Sequence, residues 1–466
     1  MHRFLLLSAS ALALSACAVG PDHLAPLPPA AANGPFVSAQ DPAVATPAPV
    51  QGDWWRLYDD PVLDGLVADA LTANTDIRVA VARIARARAA LREVRADRAP
   101  KLGAGASADY GRLPAGQRAP GAPPEDWQVD VGLDVAYEVD LFGRAARGVE
   151  AARGDLAASE ADADAVRVAI AAETARAYFD AASAAERLEV AERIVALLDK
   201  SIVLTGRRQE VGLATRLDTA RIGALRNQRQ AEVPALRAER QAALFRLATL
   251  TGRTPQDLPA EAGRRTSSLR LSQPIPVGDG AALLARRPDV RAAERRLAAA
   301  SARIGVATAD LYPRITLGGS AGSSGAGFDD IFGGGPLRWL VGGLLNWTVN
   351  QGPARARIQA AEADSQAALA TFDGAVLRAI EETETALSNY ARALDRRTAL
   401  QAARNDAEAA VTITRARQRE GQIDSLELLD AERTFADAEA QLAAADGAIG
   451  AAQIDLFRAL GGGWGR

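Results

Sequence analysis

Fifteen residues from Trp127 to Leu141 alternate in character without a break. The odd positions are Trp127, Val129, Val131, Leu133, Val135, Tyr137, Val139 and Leu141. The even positions are Gln128, Asp130, Gly132, Asp134, Ala136, Glu138 and Asp140. A period of two over such a length predicts a β-strand with one apolar and one acidic face. It is long beside the usual soluble strand of about 5–6 residues. Trp127 and Tyr137 stand ten residues apart on the apolar face. At about 3.3 Å per residue and a tilt near 45°, that separation spans roughly 23 Å, close to the apolar band of an outer-membrane barrel.

A second such stretch, Leu337 to Val349, carries Trp339 and Trp347 on its odd face. Gly- and Ala-rich partners, Leu102–Tyr110 and Ile315–Ser323, precede the two. The segments between, Gly111–Asp126 and Ser324–Pro336, read as surface loops. Trp127, Tyr137, Trp339 and Trp347 are thus the candidate aromatic girdle. Four strands cannot close a barrel, which needs about eight. Open edges in lipid would leave backbone groups without partners. Several chains must therefore share one barrel. Asp130, Asp134, Glu138 and Asp140 would face its watery lumen, because a badly placed charge near the midplane costs about 2–4 kcal/mol.

Between the strands the period becomes helical. Leu188, Ala191, Val195, Leu198 and Ile202 fall on a heptad seam, as do Leu369, Phe372, Val376, Ala379, Ala386, Tyr390, Ala393 and Leu400. Gly143 to Gly212 contains no proline and as one helix would run roughly 100 Å. Thr215–Thr251 and Pro288–Leu311 supply a return path, interrupted by the Pro/Gly-rich stretch 252–280. The chain also repeats itself. Gly212 matches Gly421 and Glu173 matches Glu382 at one offset of 209, while Ala96-Asp97-x-x-Pro100 matches Ala309-Asp310-x-x-Pro313 at an offset of 213. Such self-similarity marks two helix–hairpin–helix units, placed at 51–255 and 288–460, with 256–287 between them and a tail at 461–466. Each repeat predicts a helix–turn–helix tip. The first is Val211-Gly212-Leu213-Ala214-Thr215; the second is Glu420-Gly421-Gln422-Ile423-Asp424. Thr215-x-x-Asp218 and Asp424-x-x-Glu427 have the form of capping boxes.

The N-terminus reads as an address. Residues 1–16 have the positive start, apolar stretch and small residues of an export signal. Leu14-Ser15-Ala16-Cys17 resembles a bacterial lipobox, so Cys17 is the expected lipidation site. Residues 17–50, rich in proline, read as an extended tether. No later run of 18 apolar residues predicts a transmembrane helix. Both histidines, His2 and His23, and the lone Cys17 lie near the N-terminus. No His triad, Cys nucleophile or zinc site can be assembled in the body, and no metal or cofactor is expected. A formal charge of −4 with both signs interspersed gives no basic field for nucleic acid.

Several blocks carry a family resemblance: Cys17-Ala-Val-Gly-Pro-Asp22, Trp54-Trp55 with Asp60-Pro61, and Tyr137-Glu-Val-Asp-Leu-Phe-Gly-Arg144. Arg286-Arg-Pro-Asp289 with Ala293-Glu294, Ile304-Gly305, Leu426-Glu-Leu-Leu-Asp-Ala-Glu-Arg433 and Leu460-Gly-Gly-Gly-Trp464 complete them. In this order they resemble the TolC-like outer-membrane efflux factors, specifically the NodT-type lipoproteins of resistance-nodulation-division systems. The resemblance implies a mainly α fold with a membrane β portion. Four strands from each member of a homotrimer would form a twelve-stranded barrel, continued by a periplasmic helical tunnel and an equatorial belt. It implies a passive duct for drugs or other small molecules, fed by a periplasmic adaptor and an inner-membrane pump, with no enzymatic activity.

The same resemblance makes Val211, Gly212, Leu213, Ala214, Gly421 and Gln422 the adaptor-contact tips. Glu427 and Asp430 become carboxylates ringing the periplasmic gate, where they also suit a helix start, and Asp218 becomes part of a latch. Gln418 departs from the tyrosine that some members place before the second tip. The competing reading is a periplasmic coiled-coil lipoprotein acting as scaffold or adaptor, which explains the heptads but not the aromatic-flanked strands.

Overall fold

The computed structural model describes residues 18–462, apart from positions 40, 43, 50, 51, 113, 115, 117, 119, 120, 122, 272 and 326–336. The signal segment, Cys17, Trp464 and most of the second hairpin loop lie outside the described residues.

Eight helices are described: α1 Pro61–Ala73, α2 Thr75–Ala96, α3 Arg144–Glu210, α4 Arg216–Leu250, α5 Gly280–Arg286, α6 Pro288–Ala309, α7 Gly352–Arg419 and α8 Ser425–Ala459. Four long strands, β2 Lys101–Arg112, β3 Glu125–Val139, β5 Arg314–Gly325 and β6 Leu337–Asn346, form one antiparallel sheet in the order β2-β3-β5-β6. Two short strands, β1 Ala45–Thr46 and β4 Ile275–Pro276, pair in parallel. The duplication is explicit in the lengths. α2 and α6 have 22 residues each, α4 and α8 have 35 each, and α3 and α7 have 67 and 68.

Two compact units emerge. One comprises the N-terminal residues up to Pro26 with 83–160 and 292–372, and it contains the four-stranded sheet. Here small residues set the helix spacing. A side chain on Gly154 of α3 would come within 2.9 Å of Ala299 Cβ and 3.0 Å of Arg295 O on α6, so only glycine permits that approach.

The other unit comprises 27–82, 161–291 and 373–466. Its core gathers the few large side chains of an alanine-rich chain. Trp54 is stacked on Phe457 at 4.7 Å, and Tyr58 meets Phe179 edge-on at 4.8 Å. Leu63, Leu247, Ile275, Leu283, Leu387, Ile449 and Leu460 surround them and are fully buried. Asp60 opens α1 by accepting from the N–H groups of Val62 and Leu63. It also accepts from the Tyr178 hydroxyl and pairs with Arg265. Burial first, then the Asp60 charge beside it, pushes the Tyr178 hydroxyl up to about 12.

The described part of the proline-rich stretch expected as an extended tether contains a 3-10 turn at Ala30–Asn33 and the short strand β1, and parts of it are packed. Phe36, Val44 and Ala45 are buried, and Val37 and Ser38 donate their N–H groups to the Glu384 carboxylate. The reason is that its apolar side chains Phe36, Val44 and Ala45 join the hydrophobic cluster around Trp54 and Phe457. The segment between the repeats is held similarly. Gln453, fully buried, accepts from Leu271 N–H and Tyr58 OH and donates to Leu271 O and Tyr390 OH. Gln453→Ala would orphan both backbone groups of Leu271. Loss of about 1–3 kcal/mol, read as a lowered thermal unfolding temperature, is the expected result.

Candidate functional site

The sheet register divides the four strands into two chemically distinct faces. One cross-strand row reads Ala104–Leu133–Ala321–Trp339, and the next reads Leu102–Val135–Gly319–Val341. Tyr110 opposite Trp127 closes one end of this face, with Tyr137–Leu317–Gly343 and Val139–Ile315–Leu345 toward the other. Between the Tyr110–Trp127 pair and Val139 the face is apolar or glycine apart from Ser323, with the Arg112–Glu125 ion pair lying just beyond the aromatics, and most of it is open, with Trp339 at 74% and Val341 at 77% exposure. Water-soluble surfaces seldom expose so continuous an apolar field. Among the described residues no helix is long and apolar enough to cross a membrane.

The opposite face is polar and sparse. Its rows read Ser107–Asp130–Ser324, Gly105–Gly132–Gly322–Arg338 and Gly103–Asp134–Ser320–Leu340. Asp130 accepts from Ser324 Oγ at 2.5 Å and pairs with Arg338 at 2.9 Å. Glycine is required where backbones crowd. A Cβ on Gly322 would overlap Val131 O and come within 2.8 Å of Gly132 Cα.

The four acids expected on this face separate by role. Asp130 and Asp134 stay on the sheet. Glu138 receives two bonds of 2.8 Å from Arg144. Asp140 lies beyond β3, and its carboxylate accepts from the N–H groups of Ala145 and Ala146 at the start of α3, as an orphaned helix N-terminus demands.

Trp127 and Trp339 lie on the apolar face, and Tyr137 is half-buried at its far end. Trp347 falls one residue beyond β6, where its indole N–H donates to Leu311 O at 3.0 Å. Tyr110, its ring 5.5 Å from that of Trp127, is an aromatic at the same end of the face that the candidate girdle did not include. Its only signal was an aromatic at a strand end directly across the hairpin.

In the other unit the two tips repeat one hydrogen-bond pattern. After α3, Gly212 (φ 79°) donates to Gln209 O and Leu213 donates to Arg208 O. After α7, Gly421 (φ 73°) donates to Gln418 O and Gln422 to Arg417 O. Positive φ at the residue after the helix explains the glycine in both. Val211 and Leu213 are exposed apolar side chains, Ala214 is half-buried, and Gly421 and Gln422 are exposed.

The helix starts differ. Thr215 and Asp218 form a complete capping box. The Thr215 N–H and then its hydroxyl, both donating to Asp218, hold that carboxyl below the usual carboxylate range. Asp424 accepts from Leu426 and Glu427 N–H, but Glu427 does not return the bond. Leu428 turns inward onto Val411 and Phe435, leaving Glu427 and Asp430 exposed on α8. Among the described residues neither has an ion-pair partner within the chain. Gln418 is buried, at 5% exposure.

A family model described as outer membrane efflux protein matches residues 66–253 and 281–462. The chain belongs to that family. It is 35% identical to outer membrane protein OprJ of Pseudomonas aeruginosa, across 97% of this chain and 94% of that one. Nodulation protein T of Rhizobium leguminosarum is 30% identical across 100% of this chain and 94% of its own. The solved outer-membrane channel OprN has a TM-score of 0.89 and 37% identity, covering 96% of this chain and all of that one. The open-state MtrE channel of Neisseria gonorrhoeae has a TM-score of 0.83 at 28% identity, covering 96% and 98%. The protein is accordingly an outer-membrane channel of an efflux system, in which the sheet meets lipid.

The first tip generates a local test. Thr215→Ala is expected to cost about 0.5–2 kcal/mol of helix-start stability, seen as reduced hydrogen-exchange protection of the first α4 turn. Asp218 has a depressed folded pKa, so its contribution is present above the ordinary carboxylate range and is lost as pH falls through the depressed value. Protection factors in wild type should decline over that acidic window, and in Asp218→Ala they should not.

Proposed function

We propose that three copies of this chain close one twelve-stranded barrel and serve as the passive exit duct of a tripartite efflux assembly. One observation carries this reading. The sheet has an exposed apolar face, yet among the described residues of a single chain neither outer strand, β2 or β6, has a partner on its outer edge. In lipid such edges are intolerable, and further copies are the economical way to remove them. Four strands in each of three chains also fit the repeat structure, with 51–255 and 288–460 each supplying one hairpin around the belt segment 256–287.

Relatives named as pump components, such as the toluene efflux pump outer membrane protein TtgI of Pseudomonas putida, 31% identical over 97% of this chain, support a periplasmic adaptor and an inner-membrane resistance-nodulation-division pump as partners. The tip residues Val211, Gly212, Leu213 and the half-buried Ala214, with Gly421 and Gln422, would meet that adaptor through their apolar and backbone surfaces. The channel itself would perform no covalent chemistry and need no cofactor. Cys17 would carry acyl chains, each buried methylene adding about 0.8 kcal/mol of membrane attachment.

Glu427 and Asp430 are the proposed gate. They stand three residues apart on one face of α8, and three copies would bring six carboxylates around the mouth, favouring cations. Asp218 on the neighbouring tip would help hold the closed arrangement. Purified in mild detergent, the protein is expected to have the mass of three chains and to give small, cation-selective conductance in planar bilayers. Asp430→Ala should raise conductance several-fold and weaken cation selectivity, with Glu427→Gln showing a smaller effect. A monomer without conductance would contradict the proposal.

A further inference from the structure

We propose that residues 18–23 are a staple, seated where the two β-hairpins meet their helices, and that the seat fixes where a membrane anchor leaves the protein. The second half rests on the lipidation reading above; the first does not.

The seat is built from both repeats. Val19 donates its N–H to Phe142 O at 3.1 Å, just past β3. Arg147, on the first turn of α3, donates to Val19 O at 3.2 Å, Gly20 O at 3.3 Å and the Asp22 carboxylate at 2.7 Å. Its fourth bond, to Glu150, stays within the helix. From the second repeat, Glu294 on α6 lies 2.8 Å from His23 Nε2. Phe142 and Tyr312, which flank β3 and β5, stack at 4.4 Å beside them.

Three glycines make the fit close. Gly20 adopts φ +94°, and a Cβ there would overlap Gly305 Cα. A Cβ on Gly305 would come within 2.8 Å of both Val19 O and Arg147 Cγ, and one on Gly143 within 2.7 Å of Ala18 Cβ. A chance surface contact needs none of this. The Arg147 side chain is only 7% exposed, and a buried guanidinium that lost the peptide would be left with unpaired donors.

The position explains the use. β3 and β5 are neighbours in the sheet, but they belong to different hairpins with 174 residues between Val139 and Arg314. Their pairing pays the closure entropy of a long loop. A peptide bonded to Phe142 and Arg147 beside the first hairpin, and to Glu294 on the helix that leads into the second, adds contacts that offset part of that cost. It also places Ala18 against the first residues after the lipid-facing strand, so acyl chains on the preceding residue would enter the membrane beside the sheet and not from the end of a free tether.

The test uses full-length protein with a nitroxide on Leu24→Cys, which is exposed and next to the seat. Seat variants are Gly20→Val and the milder Asp22→Ala with His23→Ala, which touches only the segment and spares the core. In wild type the label should be motionally restricted. In the variants it should become mobile, and the detergent-resistant oligomer should dissociate several degrees lower, while the acyl mass on Cys17 is unchanged. A mobile label in wild type, or variants with unchanged label mobility and dissociation temperature, overturns the staple. Absence of acyl mass in wild type removes the anchor reading alone and leaves the staple standing or falling on the other two measurements.

Discussion

Backbone hydrogen bonding in a medium without water is the constraint on which the rest depends. The sheet of β2, β3, β5 and β6 satisfies its interior N–H and C=O groups strand to strand, and leaves two edges that cannot do so alone. An apolar face makes the sheet enter lipid, and the same entry makes its edges untenable. Oligomeric closure follows from those two facts, before any family is considered. The polar face adds a geometric condition. Gly103, Gly105, Gly132 and Gly322 face the same side, and the crowding at Gly322 shows strands packed too closely there for side chains.

The helical part answers a different demand. Few large side chains are available, so close approach of small residues replaces bulk. Gly154 against Ala299 in one unit and Gly450 against Phe179 and Leu269 in the other are contacts that a methyl group would obstruct. Trp54, Tyr58, Phe179 and Phe457 gather where the segments before, between and within the repeats converge. This framework leaves exposed an aromatic-bounded sheet face and two glycine-capped tips.

Much of this was legible in the sequence because it repeats with a short period. Alternation from Trp127 gave β3 to within two residues at each end, and the absence of proline after Gly143 gave α3. The tip glycines were readable because a helix C-terminus needs positive φ at one position. β6 stops at Asn346, short of Val349, because Trp347 turns to bond Leu311 O. What stayed hidden depends on residues distant in sequence. Gly20 and Gly305 have no local pattern, and neither does Gln453 reading the backbone of Leu271. The prolines of the N-terminal stretch announced an extended chain, but not the surface it follows. Asp140 kept the strand's alternation while serving the next helix, so periodicity alone could not separate the two roles.

The most direct measurement of shared barrel closure is oxidation of paired cysteines on the two edge strands. Within one chain β2 and β6 are separated by two intervening strands, roughly 14 Å at the usual spacing, beyond the reach of a disulfide. One cysteine at Ala106, combined in turn with cysteines along Leu337–Leu345 in outer-membrane preparations, should give covalent dimers and trimers at one register. Monomer at every register would contradict closure between chains.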